Sequence, residues 1–290
     1  MECFLSTSCF RNLELASAIY EAGKLSNKHV EISAPHPYES LTSIKKILSN
    51  YKKKKFKFTF HNYFPTPKKS FVLNLATEDL TIQKNIKQMF DNVLELSSYA
   101  ENEIYGVHAG YRTKAVPKGE EFKFGKRLIS YERALKNSIA FINNISPEFE
   151  KRKINFLVEN LFPSKKIHHS LFCTFEQIHE FMSLVDKKVG ILIDLGHLNI
   201  SSEIYSFNKM KFLEKILENY SDKIKQIHIS ENNGLKDEHK ILKKNSWQYS
   251  ALKLISKTNN KNIFYCLESR NSNSKEEISE CLDKINCIIN

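Results

Sequence analysis

Short runs rich in β-branched and aromatic residues alternate along the chain with longer stretches whose apolar residues recur at helical spacing. The runs are CFLST near the start, HVEIS (29–33), FKFTF (56–60), IYGVH (104–108), INFLVE (154–159), VGILID (189–194), IKQIHIS (224–230) and NIFYCLE (262–268). Between and after them come segments such as LELASAIYEAG, LTSIKKILSNY, IQKNIKQMFDNVLELSSYA, ISYERALKNSIAFINN, FEQIHEFMSLV, MKFLEKILENY, WQYSALKLIS and KEEISECLDKINCII. Eight strands, each followed by a helix, predict an α/β chain folded as a (β/α)8 barrel, with residues 1–290 in one domain. The strands are short and apolar, as expected where both faces are covered. A doubly wound open sheet is the competing architecture, and it usually carries a glycine-rich first turn. Only eight glycines are present, and they form neither G-x-G-x-x-G nor a P-loop.

The polar residues change the picture, because nearly every predicted strand ends in a side chain able to bind a metal. Glu31 lies within the second, His61 follows the third, His108 closes the fourth and Glu159 the fifth; Asp194 closes the sixth, His228 lies near the end of the seventh and Glu268 closes the eighth. In a barrel the C-terminal strand ends converge on one mouth. Glu159, Asp194 and Glu268 would then repel, each pair at ~4 Å costing on the order of 4 kcal/mol at an effective dielectric of ~20. A divalent cation between them is the economical answer, and His228 beside three carboxylates suits Zn or Mn better than Ca or Mg. A buried hydrogen-bonded network without metal is the competing reading.

Two short motifs add to this set. In IDLGH, His197 follows Asp194 by three residues over a turn opened by Gly196, so both can face the mouth. In DEH, after ISENNG, Asp237 and His239 share one side of an extended loop. His197, Asp237 and His239 are therefore candidates for an additional site, against the alternative that DEH is a solvated loop tip.

Composition restricts the partners. The 290 residues carry 44 Lys+Arg against 33 Asp+Glu, a formal net charge of +11, yet only six of the basic residues are Arg. Arg is the better bidentate reader of phosphate, so this is read as a surface Lys excess rather than a nucleic-acid footprint. The apolar runs are too short for a membrane span, and MECFLSTSCF lacks a basic stretch and a long apolar segment, so the expectation is a cytoplasmic protein. Cys3, Cys9, Cys173, Cys266, Cys281 and Cys287 form no C-x-x-C pair and are expected as reduced thiols.

The ordered set His61 in FHNYFP, His108 in VHAG, Glu159 in VEN, Asp194 and His197 in DLGH, His228 in IHIS, Asp237 and His239 in DEH, and Glu268 in LES resembles the xylose-isomerase-like TIM-barrel superfamily. The resemblance spans essentially the whole chain. Its sugar isomerase/epimerase branch implies one divalent metal on Glu159, Asp194, His228 and Glu268, with the two glutamates also the acid/base pair. Glu31, His197 and Arg270 are then candidate contacts to substrate hydroxyls or phosphate, and Arg112 and Lys114, beyond His108, are candidates to meet a phosphate, although the segment is expected as a solvated loop. The endonuclease IV branch implies three zinc ions: His61 and His108 with Glu159; Glu159, Asp194, His228 and Glu268; and His197, Asp237 and His239. Tyr63 and Phe64 would be its duplex-probing side chains.

HAGYR, ENLFPS and DLGHLNIS depart from the endonuclease's usual strand-end motifs, and SENNGLKDEH and HNYFPTPKKSFVLNLA look more like isomerase/epimerase relatives. The expectation is therefore a metal-dependent isomerase or epimerase of a small sugar or sugar phosphate. The alternatives are a zinc-dependent apurinic/apyrimidinic phosphodiesterase, the only reading with a nucleic-acid partner, and a barrel that binds metal or ligand without catalysis.

Overall fold

In the computed structural model, which describes residues 2–33, 36–119, 121–270 and 274–290, the elements follow in this order: β1 (Phe4–Ser6), α1 (Leu15–Leu25), β2 (His29–Ile32), α2 (Leu41–Lys53), β3 (Lys57–His61), α3 (Leu80–Ala100), β4 (Ile104–His108), β5 (Ala115–Lys118), β6 (Glu121–Phe124), α4 (Tyr131–Lys151), β7 (Asn155–Glu159), α5 (Phe175–Leu184), β8 (Gly190–Asp194), α6 (Leu195–Tyr205), α7 (Lys209–Tyr220), β9 (Ile224–Ile229), α8 (Gln248–Ser256), β10 (Phe264–Leu267) and α9 (Lys275–Ile289). Eight strands, all parallel, close in the order β1-β10-β9-β8-β7-β4-β3-β2. The (β/α)8 barrel read from the periodicity is the fold. No helix among the described residues is long and apolar enough to cross a membrane.

Polar N-caps start most of the helices. Ser40, Asp79, Ser130, Thr174 and Asn208 accept hydrogen bonds from first-turn amides, and Ser274 forms a capping box with Glu277. The main core lies between strands and helices. There Phe156 and Val158 of β7 and Ile191 and Ile193 of β8 point outward. Their strand neighbours point into the barrel, where Ile104, Leu157 and Leu192 form a separate small cluster with Phe264.

Two elements depart from the sequence reading. The segment after β4, expected as a loop, holds an antiparallel hairpin in which Ala115 pairs with Phe124 and Lys118 with Glu121. Its Phe122 and Phe124 pack on Tyr111, and Phe124 stacks on His169 with ring centroids 3.7 Å apart. The turn expected at Gly196 is instead the first turn of α6, with Asp194 as its N-cap accepting from the His197 amide at 2.7 Å. Residues 195–202 of that helix are all buried, so it lacks the one-sided apolar stripe by which an amphipathic helix is recognised.

Candidate functional site

The two-residue period of a strand fixes where the donors sit. Thr59, Gly106, Leu157, Leu192, Gln226 and Cys266 face the barrel interior. Two residues further along each chain segment, on the same face and nearer the mouth, come His61, His108, Glu159, Asp194, His228 and Glu268. The register sets His108 beside Glu159 and Asp194 beside His228.

Distances resolve these residues into overlapping groups. His61 Nε2 and His108 Nε2 lie 3.5 and 3.3 Å from the same Glu159 Oε2. His228 Nδ1 lies 3.8 Å from Glu159 Oε1, 3.9 Å from Asp194 Oδ2 and 3.3 Å from Glu268 Oε2. Asp237 Oδ2 joins His197 Nε2 at 3.6 Å to His239 Nε2 at 2.6 Å, and His239 Nδ1 is 3.6 Å from Glu268 Oε2. The donor atoms of His61, His108 and Glu159 lie within 4.8 Å of one another, as do those of Glu159, Asp194 and His197 and those of Asp194, His228 and Glu268. All nine residues read as donors from the sequence thus gather at one mouth, DEH included.

The far sides of four of the five histidine rings are held as well, His61 being the exception. His197 Nδ1 donates to the Asn160 carbonyl at 2.9 Å, His239 Nδ1 to the Glu268 carbonyl at 3.3 Å and His228 Nε2 to Glu31 at 2.9 Å, while His108 Nδ1 meets the Tyr111 hydroxyl at 3.0 Å. One nitrogen tied to an outer partner and the other facing a shared space is how metal-ligating histidines are oriented. Among the described residues, Glu159 Oε2, Asp194 Oδ2 and His228 Nδ1, which face that space, and Asp237 Oδ1 are buried without a hydrogen-bond partner. Unpaired buried carboxylate oxygens are costly, and a divalent cation would satisfy several at once. The mixed N/O donor set fits Zn or Mn.

The electrostatics have the same origin. Burial pushes the Glu159 carboxyl up to about 8, against the pull of His197 and His228. Burial acts on Glu268 in the same sense, but His239 and His228 outweigh it and hold this carboxyl well below the usual range. Burial and the neighbouring His228 press His61 down to about 3. For His239 the Asp237 carboxylate overcomes burial and raises it to about 9.

The remaining candidates lie around this centre. Arg270 Nη2 is 4.0 Å from Asp237 Oδ2, at the rim. Glu31 is fully buried one layer below the donors, bonded to Gln226 and His228. Arg112 spends its guanidinium on the carbonyls of Ile129 and His168, and Lys114 is exposed and paired with Asp79. Phe64 is buried, and the Tyr63 hydroxyl accepts from the Leu73 amide, so both serve packing. The sequence reading passed over Asn160, whose side chain donates to the Asp194 carbonyl and accepts from the Asp194 amide, and over Tyr111 and Gln226. Asn160 directly follows Glu159, and that adjacency was the available signal.

Residues 28–285 match the family described as Xylose isomerase-like TIM barrel. The uncharacterized protein MJ1614 of Methanocaldococcus jannaschii is 26% identical over 217 residues, covering 75% of this chain and 74% of its own. A solved D-tagatose 3-epimerase-like protein superposes with a TM-score of 0.75 at 22% identity, over 100% of this chain and 98% of that one. The D-psicose 3-epimerase of Clostridium cellulolyticum H10, solved with D-tagatose, gives a TM-score of 0.75 at 14% identity, over 100% of this chain and 99% of that one. Those two structures share the barrel. With the family match covering all but the two ends, the chain belongs to the xylose isomerase-like TIM barrel family.

Proposed function

We propose that the chain is a divalent-metal-dependent isomerase or epimerase of a small sugar or sugar phosphate. One observation carries this reading: Glu159 and Glu268 stand at the two ends of an arc of four consecutive strands, β7, β8, β9 and β10, with Asp194 and His228 between them. Their proton affinities are driven apart, Glu159 upward and Glu268 downward. Two carboxyl groups so biased are suited to be one proton donor and one base. Glu268 would take the proton from the carbon beside a carbonyl, and Glu159 would return one on the other face.

Asp194, His228 and the two glutamates would hold the metal, whose contribution when bound is to polarise the substrate's oxygens. His197 and Arg270 would contact substrate hydroxyls or a phosphate from the rim. The solved relatives named above are epimerases or epimerase-like by name, which supports the same class. A screen of ketoses, aldoses and their phosphates for carbon-bound deuterium uptake in D₂O, with added Mn²⁺ or Zn²⁺, tests it. Exchange with at least one sugar, lost in both Glu159→Gln and Glu268→Gln, is expected; no exchange with any of them would sink the reading.

A second reading is favoured by donors the first leaves idle. His61 and His108 converge on Glu159 Oε2, and Asp237 and His239 form a further pair beyond the four-residue set. Nine donors at one mouth suit several metals and phosphodiester hydrolysis of the endonuclease IV type. Three stoichiometric zincs together with cleavage of an abasic-site duplex would establish it. One metal and no cleavage favours the epimerase, and no metal with unaltered ligand binding in Glu268→Gln favours a non-catalytic barrel.

A further inference from the structure

Beneath the donor layer lies a carboxylate that no step above uses. Glu31 is fully buried on β2, and its Oε2 accepts from His228 Nε2 at 2.9 Å and from Gln226 Nε2 at 2.5 Å, with Thr59 Oγ1 at 3.5 Å. β2 and β9 are separated by β1 and β10 in the barrel, so Glu31 meets His228 across the interior. A carboxylate oxygen only accepts, so the proton on this bond sits on His228 Nε2. That leaves Nδ1 as the nitrogen turned to Asp194 and Glu268, and among the described residues it is buried without a hydrogen-bond partner.

We propose that Glu31 is a positioning residue, which keeps the proton of His228 on Nε2 and its ring turned so that Nδ1 presents its electron pair to the mouth. This deepens the metal-centre reading and rests on it only for its consequence. A carboxylate behind a ligating imidazole fixes the ring's orientation and raises its basicity, and losing such a partner costs about 10–100-fold in metal affinity. Gln226 and Thr59 hold Glu31 in turn. The thiol of Cys266 lies in the same pocket, its sulfur within 4.8 Å of the Glu31 and His228 donor atoms, which makes thiolate ligation the rival arrangement.

The test compares the full-length protein with Glu31→Gln, which preserves shape and a weaker acceptor, and Glu31→Leu, which removes the acceptor. Zn²⁺ affinity from competition with a chromophoric chelator is expected to fall in the order wild type, Gln, Leu, the last by about 100-fold, with metal-free melting of the Gln variant close to wild type. Equal affinities in all three would overturn the proposal, as would a sulfur-to-cobalt charge-transfer band in the Co²⁺-loaded wild type. A readout independent of metal is the ¹⁵N spectrum of histidine-labelled protein, assigned with His228→Asn. A protonated His228 Nε2 in wild type, its signal displaced in Glu31→Leu, is expected; an unprotonated Nε2 overturns the proposal. If wild type binds neither Zn²⁺ nor Mn²⁺, the metal reading fails on that ground, and the nitrogen spectrum still decides the role of Glu31.

Discussion

The Tyr111 hydroxyl lies 3.0 Å from His108 Nδ1, and the opposite nitrogen of the same ring lies 3.3 Å from Glu159 Oε2. The pair thus links the aromatic packing under the β5–β6 hairpin to the donor layer. Tyr111 is itself buried against Phe122 and Phe124. Replacing it with Phe keeps the packing and removes only the partner of Nδ1. Tyr111→Phe is expected to weaken an ion held by His61, His108 and Glu159 by about tenfold or more, while leaving one held by Asp194, His228 and Glu268 unchanged. Calorimetric titration with Zn²⁺ reads both, and an unchanged titration would show that the Tyr111 contact has no such role.

Glu159 belongs to the first of those groups and lies 3.8 Å from His228 of the second, and its replacement has two opposite effects. Glu159→Gln keeps the shape and, above pH 8, where the metal-free carboxyl is ionised, removes a buried negative charge beside Asp194 and Glu268. Stability measured there in chelator should rise by about 1–2 kcal/mol, the usual exchange of function for stability at an active site, while deuterium exchange into a sugar substrate falls by about 10²–10⁴-fold. A variant that melts lower than wild type without metal would contradict this account of the carboxylate.

How much of this was open to the sequence depends on the range of the interaction. His61, His108, Glu159, Asp194, His228 and Glu268 were legible because a strand's period and a barrel's parallel order bring strand ends together without knowledge of any contact. Glu31 was visible as a polar residue in an apolar strand, but its partner is 197 residues away and across the barrel, a pairing that no local pattern encodes. Helix α6 was hidden because it is buried all round, although Asp194 three residues before His197 carried the N-cap signal. The β5–β6 hairpin was hidden for the opposite reason. Its strands are four residues each and one contains Pro117, and its order comes from aromatic packing on Tyr111.

The protonation of Glu159 sets a pH dependence for the metal-free protein. Its folded-state pKa is raised from 4.5 to about 8, so the folded state binds the extra proton, and the associated stability is complete below 4.5 and lost as pH rises through 8. His239, raised from 6.5 to about 9, acts in the same direction at higher pH. His61 is lowered from 6.5 to about 3 and costs stability only as pH falls below 6.5. Above 6.5 Glu159 and His239 act together, so melting in chelator should move to lower temperature between pH 6.5 and 9. The increment from saturating Zn²⁺ should grow over the same interval, since deprotonated ligands bind metal more tightly. A metal-free melting temperature that climbs with pH there would refute the assignment.

Two glycines separate a need for space from a need for backbone freedom. A Cβ on Gly106 would lie 2.6 Å from Leu192 Cδ1 and 2.9 Å from His61 Nδ1, inside the barrel directly below the donor layer. The strand conformation there accepts any residue, so the cost of Gly106→Ala is overpacking, about 1–3 kcal/mol, and it falls on the ring of His61. Gly119, at the hairpin tip, has φ +60°, and among the described residues beyond its chain neighbours no atom lies within 4 Å of an added Cβ. Gly119→Ala therefore costs only left-handed backbone strain, about 1–2 kcal/mol. Both variants should melt lower than wild type by similar amounts, but only Gly106→Ala should lose Zn²⁺ affinity, because only its methyl displaces a donor. Equal loss of affinity in the two would mean that global stability, and not the seat of His61, controls the mouth.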